Sequence, residues 1–155
     1  MMSETLKADN QEPGRKDEAV SLHLSKVRGT NLQIRARLKG KGITNSRQLL
    51  EAAGAQQKRA ALIGETLIDA ATLAYITKRA DLARVKGIGA TFADMLEVLK
   101  IDTVARLAAW EIDELHQTLR DFNQTERFAR RAPTLEEIAS WVTQARRLPV
   151  IVEGI

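Results

Sequence analysis

Cysteine is absent from the 155 residues, which excludes disulfides and thiolate metal sites and suits a reducing compartment. Aromatics are scarce, at 4%; strands draw on aromatic and β-branched side chains, so the shortage disfavours sheet, and the Ala- and Leu-rich remainder favours helix. Three prolines and nine glycines leave little material for long irregular loops. No apolar run approaches the roughly 20 residues that span a bilayer. The opening MMSETLKADNQEPGRKDE has no apolar core of the kind a secretory signal carries. These absences point to a protein without a membrane segment, expected in the cytoplasm, with residues 1–17 as a disordered arm.

What is present begins with charge. The formal net charge of +4 is unevenly spread: residues 1–14 carry −2, residues 15–80 carry +8 and residues 81–155 carry −2. Between Glu18 and Glu51 no acid interrupts Lys26, Arg28, Arg35, Arg37, Lys39, Lys41 and Arg47. A stretch of this kind raises the local concentration of a polyanion and releases counterions on contact. The plainer reading is a solvated basic face balanced by the acidic second half.

The chain also matches itself at an offset of 58 residues. Leu24, Val27, Gly29, Leu38, Ile43 and Leu49 align with Leu82, Val85, Gly87, Leu96, Ile101 and Leu107. Thr66-Leu-Ile-Asp69 further resembles Thr134-Leu-Glu-Glu137, at offset 68. Both read as capping boxes, in which the hydroxyl and carboxylate satisfy free amides at a helix start. Internal duplication explains the pattern. Apolar stripes at helical spacing run through Leu135, Ile138, Trp141, Val142, Ala145 and Leu148, through Ile112, Leu115, Leu119 and Phe122, and through Leu67, Ala70, Ala71 and Ala74. Asp102 or Thr103 is placed to cap a short helix through Trp110, and Pro149 stops the last helix. The final PVIVEGI is apolar enough for a strand but has no partner strand, so it either tucks against the core or docks on another protein.

The most specific local pattern is Leu82-Ala-Arg-Val-Lys86-Gly87-Ile88-Gly89-Ala90-Thr-Phe92. An apolar helix leads into a Gly-Ile-Gly turn and a second helix follows. This resembles the helix-hairpin-helix motif of nucleic-acid-binding proteins, and the resemblance implies backbone amides at a helix start turned toward a phosphate. Glycine permits positive φ and close approach of phosphate oxygens, and the helix start supplies unpaired donors with partial positive charge. Such contacts position a duplex without reading its bases. Residues from about 20 to 148 resemble an uncharacterised bacterial family of tandem helix-hairpin-helix-like units, on the Gly-Ile-Gly turn, Lys100-Ile-Asp-Thr103, and the final helix with Pro133 and Trp141. The first hairpin departs from the pattern, reading Gly29-Thr30-Asn31 without the second glycine. Either the two halves share one phosphate-binding surface or the hairpins are structural elbows.

The fold expected is all-α, with two tandem diverged helix-hairpin-helix-like units of short helices on a shared core. Residues 18–80 form the basic first unit, 81–148 the second, and 149–155 a tail. No enzyme chemistry, metal or cofactor is expected. His23 and His116 are the only histidines and occupy unrelated positions, too few for a metal site. Asp113-Glu114 and Glu136-Glu137 sit where helix starts favour acids, and Trp110 and Trp141 read as core residues. Arg127, Arg130, Arg131, Arg146 and Arg147 form a possible second basic edge, with the last two already suited to a helix C-terminus. The sequence points to a non-enzymatic, largely sequence-independent binder of double-stranded DNA. Lys26, Arg28, Arg35, Arg37, Lys39 and Lys41 supply charge, while Lys86 and the amides of Gly87, Ile88, Gly89 and Ala90 clamp a phosphate. The alternative is an interaction adaptor whose basic face meets an acidic partner protein.

Overall fold

A computed structural model of the chain describes residues 21–155; the expected N-terminal arm, residues 1–17, lies outside them. Among the described residues there are eight α-helices and no strand. A short 3-10 turn, Leu24–Lys26, precedes α1 (Leu32–Lys39), α2 (Ser46–Ala53), α3 (Gln56–Thr66) and α4 (Ala70–Leu82). The second half repeats the order with α5 (Gly89–Val98), α6 (Val104–Ala108), α7 (Ile112–Glu126) and α8 (Leu135–Arg147).

The offset of 58 is a structural equivalence. Gly29 and Gly87 share a left-handed backbone, φ 94° and 93°, as do Gly42 and Lys100, φ 78° and 66°. Asn45 caps α2 and Thr103 caps α6 through the same side-chain bond to the amide three residues on. All five apolar pairs of the alignment are buried. The later match is different. Thr134 forms a complete capping box with Glu137, but Thr66 is the last residue of α3, donating its hydroxyl to the Leu62 carbonyl at 2.7 Å. Leu67 takes the left-handed C-cap position, φ 59°, and Asp69 is the N-cap of α4, accepting from the Thr72 amide. The helices therefore align at offset 65, which pairs Leu73, Ile76, Thr77 and Ala80 of α4 with Ile138, Trp141, Val142 and Ala145 of α8, every one buried. Ala70 and Ala71, expected on the apolar stripe of α4, are exposed, because that stripe was phased on the wrong helix start.

The two halves share one packing pattern around the fourth helix, although α2 also packs on α3 in the first. The second and third helices lean on the fourth, α2 and α3 on α4 and α6 and α7 on α8. In place of one shared core there are two apolar clusters. One is built on Leu38, Leu49, Leu73 and Ile76, the other on Leu96, Leu107, Leu115 and Trp141. The clusters meet along α4, whose Leu73, Ile76 and Ala80 belong to the first and whose last residue, Leu82, belongs to the second. The tail is not a strand. Ile151 and Val152 pack on the first cluster, and the Glu153 amide donates to the Gly54 carbonyl at 2.9 Å.

Candidate nucleic-acid interface

The start of α5 is built differently from its counterpart in the first half. At α1 the Asn31 side chain accepts from the Ile34 amide, and the Thr30 hydroxyl folds back onto the carbonyls of Leu24 and Val27. The turn itself is filled, since a Cβ on Gly29 would lie 2.8 Å from the Tyr75 ring. At α5 the N-cap is Ile88, whose buried side chain forms no cap, and no acid lies in the first turn. Gly89 has φ 71° with nothing within 4 Å of where a Cβ would stand. The sign of φ thus alternates from Ile88, at −69°, to Gly89, an arrangement that turns successive amides toward one concavity.

That turn opens on a cleft of about 410 Å³ between the halves. Lys26 and Arg28 line it from the first half, and Lys86, Gly87, Ile88, Gly89 and Ala90 from the second. Seven of the eleven residues singled out in the sequence therefore share one site. Ile88 is itself buried. The Gln144 side chain fixes the turn from α8, accepting from the Lys86 amide at 2.8 Å and donating to the Lys86 carbonyl at 3.0 Å. Lys26 is exposed and makes no ion pair among the described residues. Arg28 pairs with both oxygens of Asp94, at 2.8 and 2.6 Å, with its side chain 56% exposed. Asp94 also meets Arg79 at 2.9 Å, and Arg79 reaches Glu97, which accepts from the Tyr75 hydroxyl. Burial, then the bond to Glu97, pushes the Tyr75 phenol above its usual range. This network links Arg28 of the first half to α4 and α5.

Arg35, Arg37, Lys39 and Lys41 do not line the cleft. Arg35 donates to the Thr30 carbonyl, Arg37 to the Leu67 carbonyl at 3.2 Å, and Lys41 pairs with Glu65 at 3.6 Å. Arg37 thus serves the C-terminal end of α3, where a cation suits an unpaired carbonyl. Arg130 and Arg131, by contrast, adjoin the turn. They line a second hollow with Phe92 and Phe128, which Gly89 also lines. Arg131 pairs with Glu137 at 2.7 and 3.0 Å and lies over the Phe92 ring, 5.4 Å from its centroid. The alternation of Arg with Phe128 in 127–131 is the sequence signal for this edge; only the fold shows that it borders α5.

The fold is thus that of a small all-helical protein in which two like halves meet at a basic, glycine-lined cleft. The family described as a domain of unknown function, DUF4332, matches residues 28–148, and the chain belongs to it. No curated protein and no solved structure matches the chain. Among the described residues no helix is long and apolar enough to cross a membrane.

Proposed function

We propose that this protein is a non-enzymatic binder of double-stranded DNA with little sequence preference, its halves two diverged helix-hairpin-helix-like units that share one phosphate site. The observation that carries the reading is the cleft, where cations of the first half stand beside the uncapped, unobstructed turn of the second. An anionic oxygen over Gly89 meets amides of a helix start in a space no side chain occupies. Lys26 and Lys86 add two formal charges at its rim, and Arg28 is exposed enough to exchange Asp94 for phosphate. Arg35, Arg37, Lys39 and Lys41 contribute through the long-range field.

Duplex binding measured across a salt series tests this. Each phosphate contact adds about 0.9 to the slope of log affinity against log salt. Lys26→Gln and Lys86→Gln should each weaken binding uniformly across sequences and flatten the slope by about one unit. Replacing Arg35, Arg37, Lys39 and Lys41 together should weaken binding less per charge removed. If the parent shows no salt-dependent binding to duplex at about 50 mM salt, where such contacts are strong, the reading fails and the basic cleft belongs to an acidic protein partner.

A further inference from the structure

The second hollow, about 500 Å³, shares Ile88, Gly89 and Ala90 with the cleft, so the two adjoin one turn. Its far wall is Phe128 to Arg131, part of the segment from Arg127 to Thr134 that joins α7 to α8. The first half has no equivalent of this length: α3 is 11 residues long and is followed by 67–69, whereas α7 is 15 residues long and is followed by 127–134. The added segment is held in place. The Asn123 carboxamide accepts from the Ala129 amide at 2.7 Å and donates to the Ala129 carbonyl at 3.2 Å. Arg127 ends α7 in the left-handed C-cap conformation, φ 50°, as Leu67 ends α3. Arg131 is fixed by Glu137. What the segment presents is Phe128, 38% exposed and braced on Phe122 with ring centroids 5.8 Å apart, and the exposed guanidinium of Arg130.

Continuous duplex has no group suited to an aromatic hollow beside a phosphate site, because its bases are stacked inside. An unpaired nucleotide does: its base stacks on a ring while its phosphate stays near cations. Resting on the DNA-binding reading of the cleft, we infer that the hollow accepts one unpaired nucleobase next to the phosphate held at Gly89. Phe128 is the stacking face and Arg130 the charge at its edge. The protein therefore prefers a duplex that carries a single-stranded flank, gap or frayed end over an uninterrupted one.

Fluorescence anisotropy with a hairpin-closed duplex, and with the same duplex bearing a short overhang, reads the preference directly. The parent should bind the overhang form about tenfold more tightly, the scale of one base on one ring. Phe128→Ala should abolish the ratio and leave affinity for closed duplex within about twofold of the parent. Arg130→Gln, at an exposed position outside both apolar clusters, should narrow the ratio as well. It decides the matter if Phe128→Ala lowers the melting midpoint. Equal binding of the two DNAs by the parent, or a ratio untouched by both variants, overturns the inference and leaves the duplex reading standing. No binding to either DNA removes both.

Discussion

Gly29 and Gly87 adopt one backbone conformation, φ 94° and 93°, under different demands. At Gly29 the Tyr75 ring occupies the place of a side chain, so the residue must be small as well as left-handed. Gly87 meets only the Trp141 indole nitrogen at an ordinary 3.7 Å, and Gly89 nothing. Gly29→Ala should therefore cost at least about 2 kcal/mol, from the left-handed penalty plus overpacking. Gly89→Ala should cost about 1–2 kcal/mol from the backbone alone. Paired chemical denaturation measures both, and equal losses would mean that the Tyr75 contact carries no weight. Trp141, 1% exposed and tilted against Phe92 at 5.5 Å, anchors the second cluster. Trp141→Ala should destabilise by about 3–5 kcal/mol; an unchanged melting midpoint would contradict its burial.

Among the helices, α8 has the most complete start. Thr134 and Glu137 close a capping box, and Arg131 adds a bidentate pair to the same carboxylate. The Arg131 hydrogen bonds, with help from the Thr134 amide, draw Glu137 down to about 2 from an ordinary value of 4.5. At Asp102 burial pushes the carboxyl up, but the bonds from Lys78 and Arg106 outweigh it and hold it below its usual range. At Asp69 the Thr72 hydroxyl and amide act in the same direction. Carboxyls depressed in the folded state stabilise it fully above their unfolded values and lose that contribution as pH falls. Stability should then be level above about pH 5 and decline as pH falls from 4.5 toward 2. Glu137→Gln should shallow that decline, as thermal melts across the range will show; an unaltered profile would mean that the Glu137 pair is absent in solution.

The same elements show what was legible beforehand. The 58-residue repeat could be read because buried apolar residues and left-handed turns tolerate few substitutes, and both recur at fixed spacing. The Thr66 signature misled because Thr-x-x-acid describes a helix start only when the chain enters from outside. Here α3 runs through Thr66 and ends at Leu67 in a left-handed cap with no glycine to announce it. The basic stretch was visible as composition, but the sharp turn at Gly29 and the 100° step of α1 send its cations to different surfaces. Lys26 and Arg28 alone reach the cleft. Arg130 reaches the second hollow, beside the same turn, from 40 residues beyond Ala90, across a fold that spacing does not encode.

At the scale of the whole molecule, two like halves need something to hold them in one arrangement, and the chain end does part of this. After α8 the tail returns to the first half, where Ile151 fills the space that Gly54 leaves by lacking a side chain: a Cβ there would meet the Ile151 methyl at 2.6 Å. The Glu153 carboxylate accepts from the Gln56 amide at 3.2 Å, at the start of α3, whose own N-cap, Ala55, offers no side-chain bond. Arg59, only 6% exposed, makes no ion pair among the described residues and is satisfied by the carbonyls of Ala53, Gly54 and Glu153 at 2.9, 3.1 and 2.6 Å. The tail therefore completes the first half. Ending the chain at Pro149 would expose the Ile151 and Val152 seat and leave the buried Arg59 guanidinium short of an acceptor. Together these losses amount to about 2–4 kcal/mol, or a melting midpoint lower by roughly 5–15 °C for a chain of this size. The transition should stay single, because α4 belongs to both clusters, Arg79 ties it to α5, and Arg28 ties the start of the first half to the same Asp94. Hydrogen exchange should show protection falling first across 53–59 and last in α8. A truncated chain that melts with the parent, with 53–59 still protected, would show that the tail rests on the surface without supporting it.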